Sequence, residues 1–412
     1  MSFDSFHGNA DTVTRLRSML AAGRLPHALI LSGPQGAGKY LLALMLAKSM
    51  NCEAADMVAQ AALRKAAAAA VPAEPEPMSL FAGMGEPSVT EEEPSPEAAA
   101  AEQFVSASAG GLPDFCGVCS SCEKIGLADD FDSRFAEAVE AREALKESEK
   151  KETRILLQPH PNVVIVPPDP PQLLIKVDQV RKVIEGVRFL PLRGRRVYVF
   201  VGSGFIKEAA NSLLKILEEP PEYATLILLT ENPGELLPTI RSRCVSLALA
   251  PLKVREVEAD LVRSRPELNP AQRGLVARLA RGAIGRARTF DIATYSAARS
   301  QALVLLRSVI SDEHSELFKT TETFRAGADG RAKTDQLIAA LYSLLEDLLF
   351  LQHGASQMVR NTDVQGELKR LAAATDFRWL ERATEGLAEV QRGMRRNLLR
   401  SLSLDAFATA LE

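Results

Sequence analysis

The sequence predicts an α/β domain with a parallel sheet, followed by wholly helical segments. Three observations lead there. Short apolar runs alternate with helical stretches through the first 250 residues, the pattern of a helix-covered parallel sheet. A glycine-rich turn follows the first of those runs and opens a helix. Beyond Pro251 no strand-like run recurs, and helical periodicity takes over.

Taken in order, the first orderly stretch is 25–50. Its apolar run Ala28-Leu29-Ile30-Leu31 reads as a buried strand, then comes the turn, then a helix over 39–48. From about 53 to 111 the chain is rich in Ala, Pro and Glu (VPAEPEPMS, TEEEPSPEAAAAE) and has few large apolar residues. Such a segment cannot offset its ordering entropy, so disorder is expected. A tolerated surface insertion is the plain reading, and a tether for a partner the sharper one. A second interruption, about 128–154, carries alternating charges (EAREALKESEKKE) that suit a solvated helical insertion. Order resumes with strands expected at 162–166, 196–201, 224–230 and 245–249, and helices at 177–187 and 205–217. A short helical set covers roughly 252–293, and longer amphipathic runs include 339–351 and 377–402.

With 412 residues, 46% hydrophobic and 25% charged, the chain has room for two or three domains of ordinary globular composition. A formal charge of -4 excludes a global basic field. No run of 18 apolar residues occurs, so no membrane helix is expected. The start, MSFDSFHGNA, lacks the pattern of a signal peptide. A cytoplasmic protein is expected, with reduced cysteines that serve metals more often than disulfides.

Gly33-Pro34-Gln35-Gly36-Ala37-Gly38-Lys39-Tyr40 matches the Walker A pattern at every position but the last. Its glycines let backbone N–H groups close round phosphates, the helix start favours anions, and Lys39 can reach the terminal phosphates. At Tyr40 the pattern wants Ser or Thr, whose short hydroxyl reaches Mg²⁺. A phenol carries its hydroxyl too far out. The second metal requirement also fails, since the third strand, Val197-Tyr198-Val199-Phe200-Val201-Gly202-Ser203, ends in no carboxylate. Mg²⁺-dependent hydrolysis is therefore not expected, while ATP or ADP held by the loop and an empty loop both stay open.

Cys116, Cys119 and Cys122 form a double C-x-x-C run, and Cys52 lies upstream across the Ala/Pro/Glu segment. If that segment loops out, four thiolates can close round one structural zinc. Free core cysteines and a redox pair are the alternatives. Cys244 reads as a buried structural thiol. Arg243, in Leu236-Leu237-Pro238-Thr239-Ile240-Arg241-Ser242-Arg243-Cys244, is either a solvated surface residue or one that reaches a neighbouring subunit's nucleotide.

Five stretches carry a family resemblance: GRLPHALILSGPQGAGK, CGVCSSC, VDQVRKVIEGVRFLP, AANSLLKILEEPPEYATLILLTENP and LLPTIRSRC. In this order they resemble the delta-prime subunits of the bacterial DNA polymerase III clamp loader, within the AAA+ family. LLKILEEPP with SRC is the most specific combination. Beyond 250, Gly282-Ala283-Ile284-Gly285-Arg286-Ala287 looks like the family's lid motif, and NLLRSLSLDAFATALE like its collar terminus.

The resemblance implies an AAA+ P-loop domain over 1–250 with an inserted zinc module, a helical lid domain over 251–293 and an all-α collar domain over 294–412. It implies that Arg243 is an arginine finger acting in trans, that Cys52, Cys116, Cys119 and Cys122 hold zinc, and that Arg286 occupies the nucleotide-sensing position. The usual first cysteine spacing is much shorter than here. The implied partners are tau/gamma and delta subunits in a hetero-pentameric ring, with the sliding clamp and primed DNA met through that ring. A tau/gamma-type motor shares the zinc module, LLKILEEPP and SRC, but wants Ser or Thr at position 40, an acidic strand end and a long extension after the collar. A free-standing P-loop kinase or regulator leaves the cysteines and helical C-terminus unexplained. A zinc-dependent DNA-binding protein wants basic and aromatic residues where Asp114 and Glu123 stand.

Overall fold

The computed structural model describes residues 2–54, 113–170, 172–311, 328–395 and 399–411. The chain divides into two units, Met1–Pro251 and Leu252–Glu412.

In the first unit the strands are β1 (Ala28–Ser32), β2 (Leu157–His160), β3 (Val163–Val166), β4 (Arg196–Val201), β5 (Ala224–Thr230) and β6 (Val245–Ala248). They form one sheet in the order β2-β3-β4-β5-β1-β6. All neighbours are parallel except β2 and β3. β1 and β5 are buried along their whole length, which is why they read as largely apolar runs. Strand alternation then sorts their side chains between two cores. Leu29, Leu31, Val197, Val199, Ile227 and Leu229 face α2 (residues 39–51, after α1 at 10–21). Ala28, Ile30, Tyr198, Phe200, Leu226 and Leu228 face the layer on the other side. The chain continues through α3 (Ser120–Gly126), α4 (Phe131–Glu143), α5 (Glu147–Glu152), α6 (Val177–Val187), α7 (Lys207–Glu218) and α8 (Pro238–Arg241). α6 and α7 supply that second layer.

Four expectations need correction. Order begins before residue 25, with a 3-10 turn at Phe3–Ser5 and then α1 (Ala10–Ala21). Its buried face contains Arg17, paired with Asp4 at 2.7 Å, and that charge breaks the apolar period. β2 is an added antiparallel edge strand, short and containing Pro159, a residue that sheets tolerate at their edges. The charged segment at 128–154 is helical but is not merely solvated. Arg142 on α4 is buried and donates to Asp169, itself 2% exposed, at 2.7 Å. The helix expected over 377–402 is two helices, given below. Of the segment expected to be disordered, Glu53 and Ala54 continue in helical geometry with Ala54 buried, while 55–111 lies outside the described residues.

The second unit is helical. α9 (Val254–Ser264), α10 (Pro270–Leu279) and α11 (Ile284–Arg288) enclose Val257, Leu261, Val276 and Ala287. α12 (Ile292–Ser311), α13 (Ala328–Gln352), α14 (Gln365–Ala374), α15 (Phe377–Arg395) and α16 (Arg400–Thr409) share a second core around Leu305, Leu341, Leu344 and Leu387. Inside it Asp347, fully buried, accepts from the backbone N–H groups of Arg360 and Asn361. Among the described residues no helix is long and apolar enough to cross a membrane.

Candidate functional site

The glycine loop leaves the C-terminal end of β1 between β5 and β6, outside the carboxyl ends of parallel strands where open α/β sheets bind ligands. Two of its glycines are sterically required. Gly33 has φ +150°, and a Cβ there would lie 2.6 Å from the carbonyl oxygen of Leu249. Gly38 has φ +91°, and its Cβ would meet the Phe6 ring at 2.9 Å. Lys39 folds back over the loop, its ammonium donating to the carbonyls of Gly33 at 2.6 Å and Pro34 at 2.8 Å. Burial lowers its pKa, and the carboxylate of Glu231, just past β5, opposes that shift. Pro34, Gln35, Gly36 and Ala37 complete the turn, with Ala37 buried.

Tyr40 points away from the loop. Its hydroxyl donates to the Ala128 carbonyl at 2.7 Å, and its ring lies 5.1 Å from that of Phe131. Burial raises its pKa, and Asp129, Asp130 and Asp132 add to the shift. At the end of β4 the Ser203 hydroxyl donates to Glu235. A carboxylate therefore does stand beside that strand, supplied by the turn after β5 and not by β4 itself.

The helix that starts at Lys39 ends at the cysteines. Cys52 caps α2, and its sulfur lies 3.5 Å from that of Cys116. The sulfurs of Cys52, Cys116, Cys119 and Cys122 all lie within 4.8 Å of one another. Four sulfurs bound tetrahedrally at ~2.3 Å would be about 3.8 Å apart, so the set fits one zinc. The backbone N–H of Cys116 donates to Cys52 Sγ and that of Cys119 to Cys116 Sγ, both at 3.3 Å, which favours thiolate charge. Burial pushes the Cys116 thiol up to about 11, and a hydrogen bond with Cys52, then burial, raises Cys122.

Three supports of this cluster are not apparent from the cysteine spacing. The Ser121 hydroxyl donates to Glu53 at 2.7 Å and lies 3.2 Å from His160 Nε2. His160 Nδ1 accepts from the Asn162 N–H at 3.1 Å, so its Nε2 carries the proton. Lys48, in the last turn of α2, is buried and pairs with Asp129 at 2.8 Å.

Arg243 follows α8 and is exposed. Its Nη1 donates to the Thr239 carbonyl at 3.0 Å, and its Nη2 lies 2.9 Å from Glu218, the last residue of α7. The neighbouring Cys244 is half-buried, with its thiol pushed up to about 12 by desolvation. Arg286 is exposed on α11, in the second unit.

Glu218 is the ionic neighbour of Arg243 that the sequence motifs do not name. Glu218 and Glu219 close a helix at the end where the macrodipole disfavours negative charge, a place that suits a facing cation without naming which one.

A family model described as DNA polymerase III, delta subunit matches residues 8–69 and 90–253, more than half of the chain. The subunit delta' of Escherichia coli (strain K12) is 33% identical over 218 residues, 52% of this chain and 62% of that protein. The subunit delta' of Pseudomonas aeruginosa is 41% identical over 91 residues, 22% of this chain and 28% of its own. The DNA polymerase III subunit tau of E. coli is 24% identical over 380 residues, 92% of this chain but 41% of that protein. This chain thus spans less than two thirds of the length of these relatives. It belongs to the DNA polymerase III delta-subunit family, among relatives that include both delta' and tau subunits.

Proposed function

We propose that this chain is a delta-prime-like subunit of the DNA polymerase III clamp loader that does not hydrolyse ATP itself. The observation that carries this reading is Tyr40, whose hydroxyl is committed to Ala128 at the one loop position where hydrolysis needs a short metal-reaching hydroxyl. The span of the tau likeness favours a motor subunit instead. Tyr40 speaks against that second reading.

On the proposed reading the chain joins tau/gamma and delta subunits in a hetero-pentameric ring in the cytoplasm, and meets the sliding clamp and primed DNA through that ring. Its domains are the AAA+ unit over 1–250, the lid over 251–293 and the collar over 294–412. Arg243 is offered to a neighbour's ATP site, where a guanidinium stabilises charge developing on the γ-phosphate. Cys52, Cys116, Cys119 and Cys122 would hold a structural zinc, with no coordination position left for water. The loop and Lys39 retain the means to bind nucleotide, and Arg286 is the candidate sensor of it.

The test is ATP hydrolysis by the isolated chain and by the reconstituted loader. No turnover is expected alone, and Arg243→Ala should lower loader turnover with assembly intact. Turnover by the isolated chain that Lys39→Ala abolishes would establish the motor reading instead.

A further inference from the structure

We infer that Glu218 is a positioning residue for Arg243, holding its guanidinium in the orientation that a neighbouring subunit's nucleotide meets. The inference rests on the finger reading of Arg243 and assigns a residue to that site beyond it. The geometry is specific. Glu218 ends α7 and is followed by Glu219-Pro220-Pro221; proline cannot continue a helix, so the chain turn after the carboxylate is fixed. Its Oε1 lies 2.9 Å from Arg243 Nη2, while Arg243 Nη1 is anchored from its own turn by the Thr239 carbonyl at 3.0 Å and the Ser242 hydroxyl at 3.4 Å.

Two elements distant in sequence therefore grip opposite ends of one guanidinium. An arginine left alone on the surface samples many rotamers, and that freedom must be given up when it binds. A guanidinium already held on two sides gives up less at the moment of contact.

Stability does not explain the pair. The Arg243 side chain is 36% exposed and that of Glu218 51%, and exposed ion pairs contribute little to folding. The carboxylate moreover sits at a helix C-terminus, where the backbone dipole disfavours it. A guanidinium has five N–H donors in a planar fork, so contacts on Nη1 and Nη2 leave donors that an anion can take. Glu218 thus aims Arg243 without consuming it.

The experiment compares Glu218→Ala, Glu218→Gln, Arg243→Ala and the double alanine variant in the reconstituted loader, by kcat, KM for ATP and assembly. Glu218→Ala should lower kcat about tenfold with KM and assembly unchanged, as expected when a group is misaligned but not removed. Glu218→Gln keeps an acceptor at the same place and should restore most of the rate. The double variant should be no slower than Arg243→Ala, because both changes act through one group. A wild-type kcat in Glu218→Ala, or losses that multiply in the double variant, would overturn the assignment while leaving the finger in place. A wild-type kcat in Arg243→Ala would remove the finger reading and this inference with it.

Discussion

Tyr40 donates its hydroxyl to the backbone carbonyl of Ala128 at 2.7 Å, and so ties the first turn of the phosphate-loop helix to the segment that follows the cysteines. The ring completes the link against Phe131, which stacks in turn on Phe135 at 5.6 Å. A residue that looks like a lost metal ligand is thus also a packing element. Tyr40→Phe keeps the ring and removes one part-buried hydrogen bond, so unfolding should cost about 1 kcal/mol less. Tyr40→Ser restores a short hydroxyl but vacates the space beside Phe131, and should cost about 3 kcal/mol. Urea denaturation measures both. Tyr40→Ser should gain no ATPase activity, because β4 still ends without a carboxylate of its own. Turnover in that variant would show that position 40 alone had silenced the site.

The same contact sets a pH dependence. Burial, with Asp129, Asp130 and Asp132, raises the Tyr40 pKa above its ordinary 10.0. The unfolded phenol ionises near pH 10 and the folded one does not, so above that pH the folded state binds the extra proton and stability falls as pH rises. The contribution is complete below pH 10. Tyr40→Phe should therefore flatten the decline in stability between pH 10 and 11, and an unchanged slope would assign it to other tyrosines.

The cysteine cluster predicts metal content. About one zinc per chain is expected for a four-thiolate site, and chelation should lower the melting temperature, since binding free energy at such a site is folding free energy. Cys52→Ser should lose the metal, because Cys52 closes the set from the end of α2. Elemental analysis at full occupancy in that variant would place the fourth ligand elsewhere. Ser121→Ala, which removes the hydroxyl contacts to Glu53 and His160 but keeps the backbone N–H bond to Glu53, should keep the metal and weaken its retention against chelator.

What the sequence shows and what it hides follow from the range of each interaction. β1, β4 and β5 were legible because strands buried on both faces are dominated by apolar residues. The cysteine set was legible because C-x-x-C spacing is local, and only Cys52 had to be brought in across a long segment. The partners of single charges were not legible. Nothing near Arg243 in the chain names Glu218, and nothing in the alternating charges of α4 distinguishes Arg142, which is buried, from Arg134, which is exposed. α1 was hidden for the same reason, since Arg17 belongs to its buried face through partners distant in sequence, Asp4, the Pro113 carbonyl and the Phe3 ring.

Arg142 gives the clearest energetic consequence of that hidden order. Its Nη1 lies 2.7 Å from Asp169, and Arg154 approaches the same carboxylate at 3.7 Å. Asp169 is 2% exposed and also closes its own loop, its backbone pairing with Leu174. A carboxylate so buried stays charged at low cost only while a guanidinium faces it. Arg142→Ala should therefore destabilise the first unit by about 2 kcal/mol, less than the loss expected when a buried charge is left wholly unpaired, because Arg154 stays within reach of Asp169. The double variant Arg142→Ala with Asp169→Asn removes the carboxylate that only Arg154 would still face and should recover part of that loss. If the segment at 128–154 were only a solvated insertion, Arg142→Ala would fall within the small changes typical of surface substitutions. Urea titration of the two variants separates these outcomes, and protease cutting between α4 and α5 should quicken in Arg142→Ala as the segment comes off Asp169.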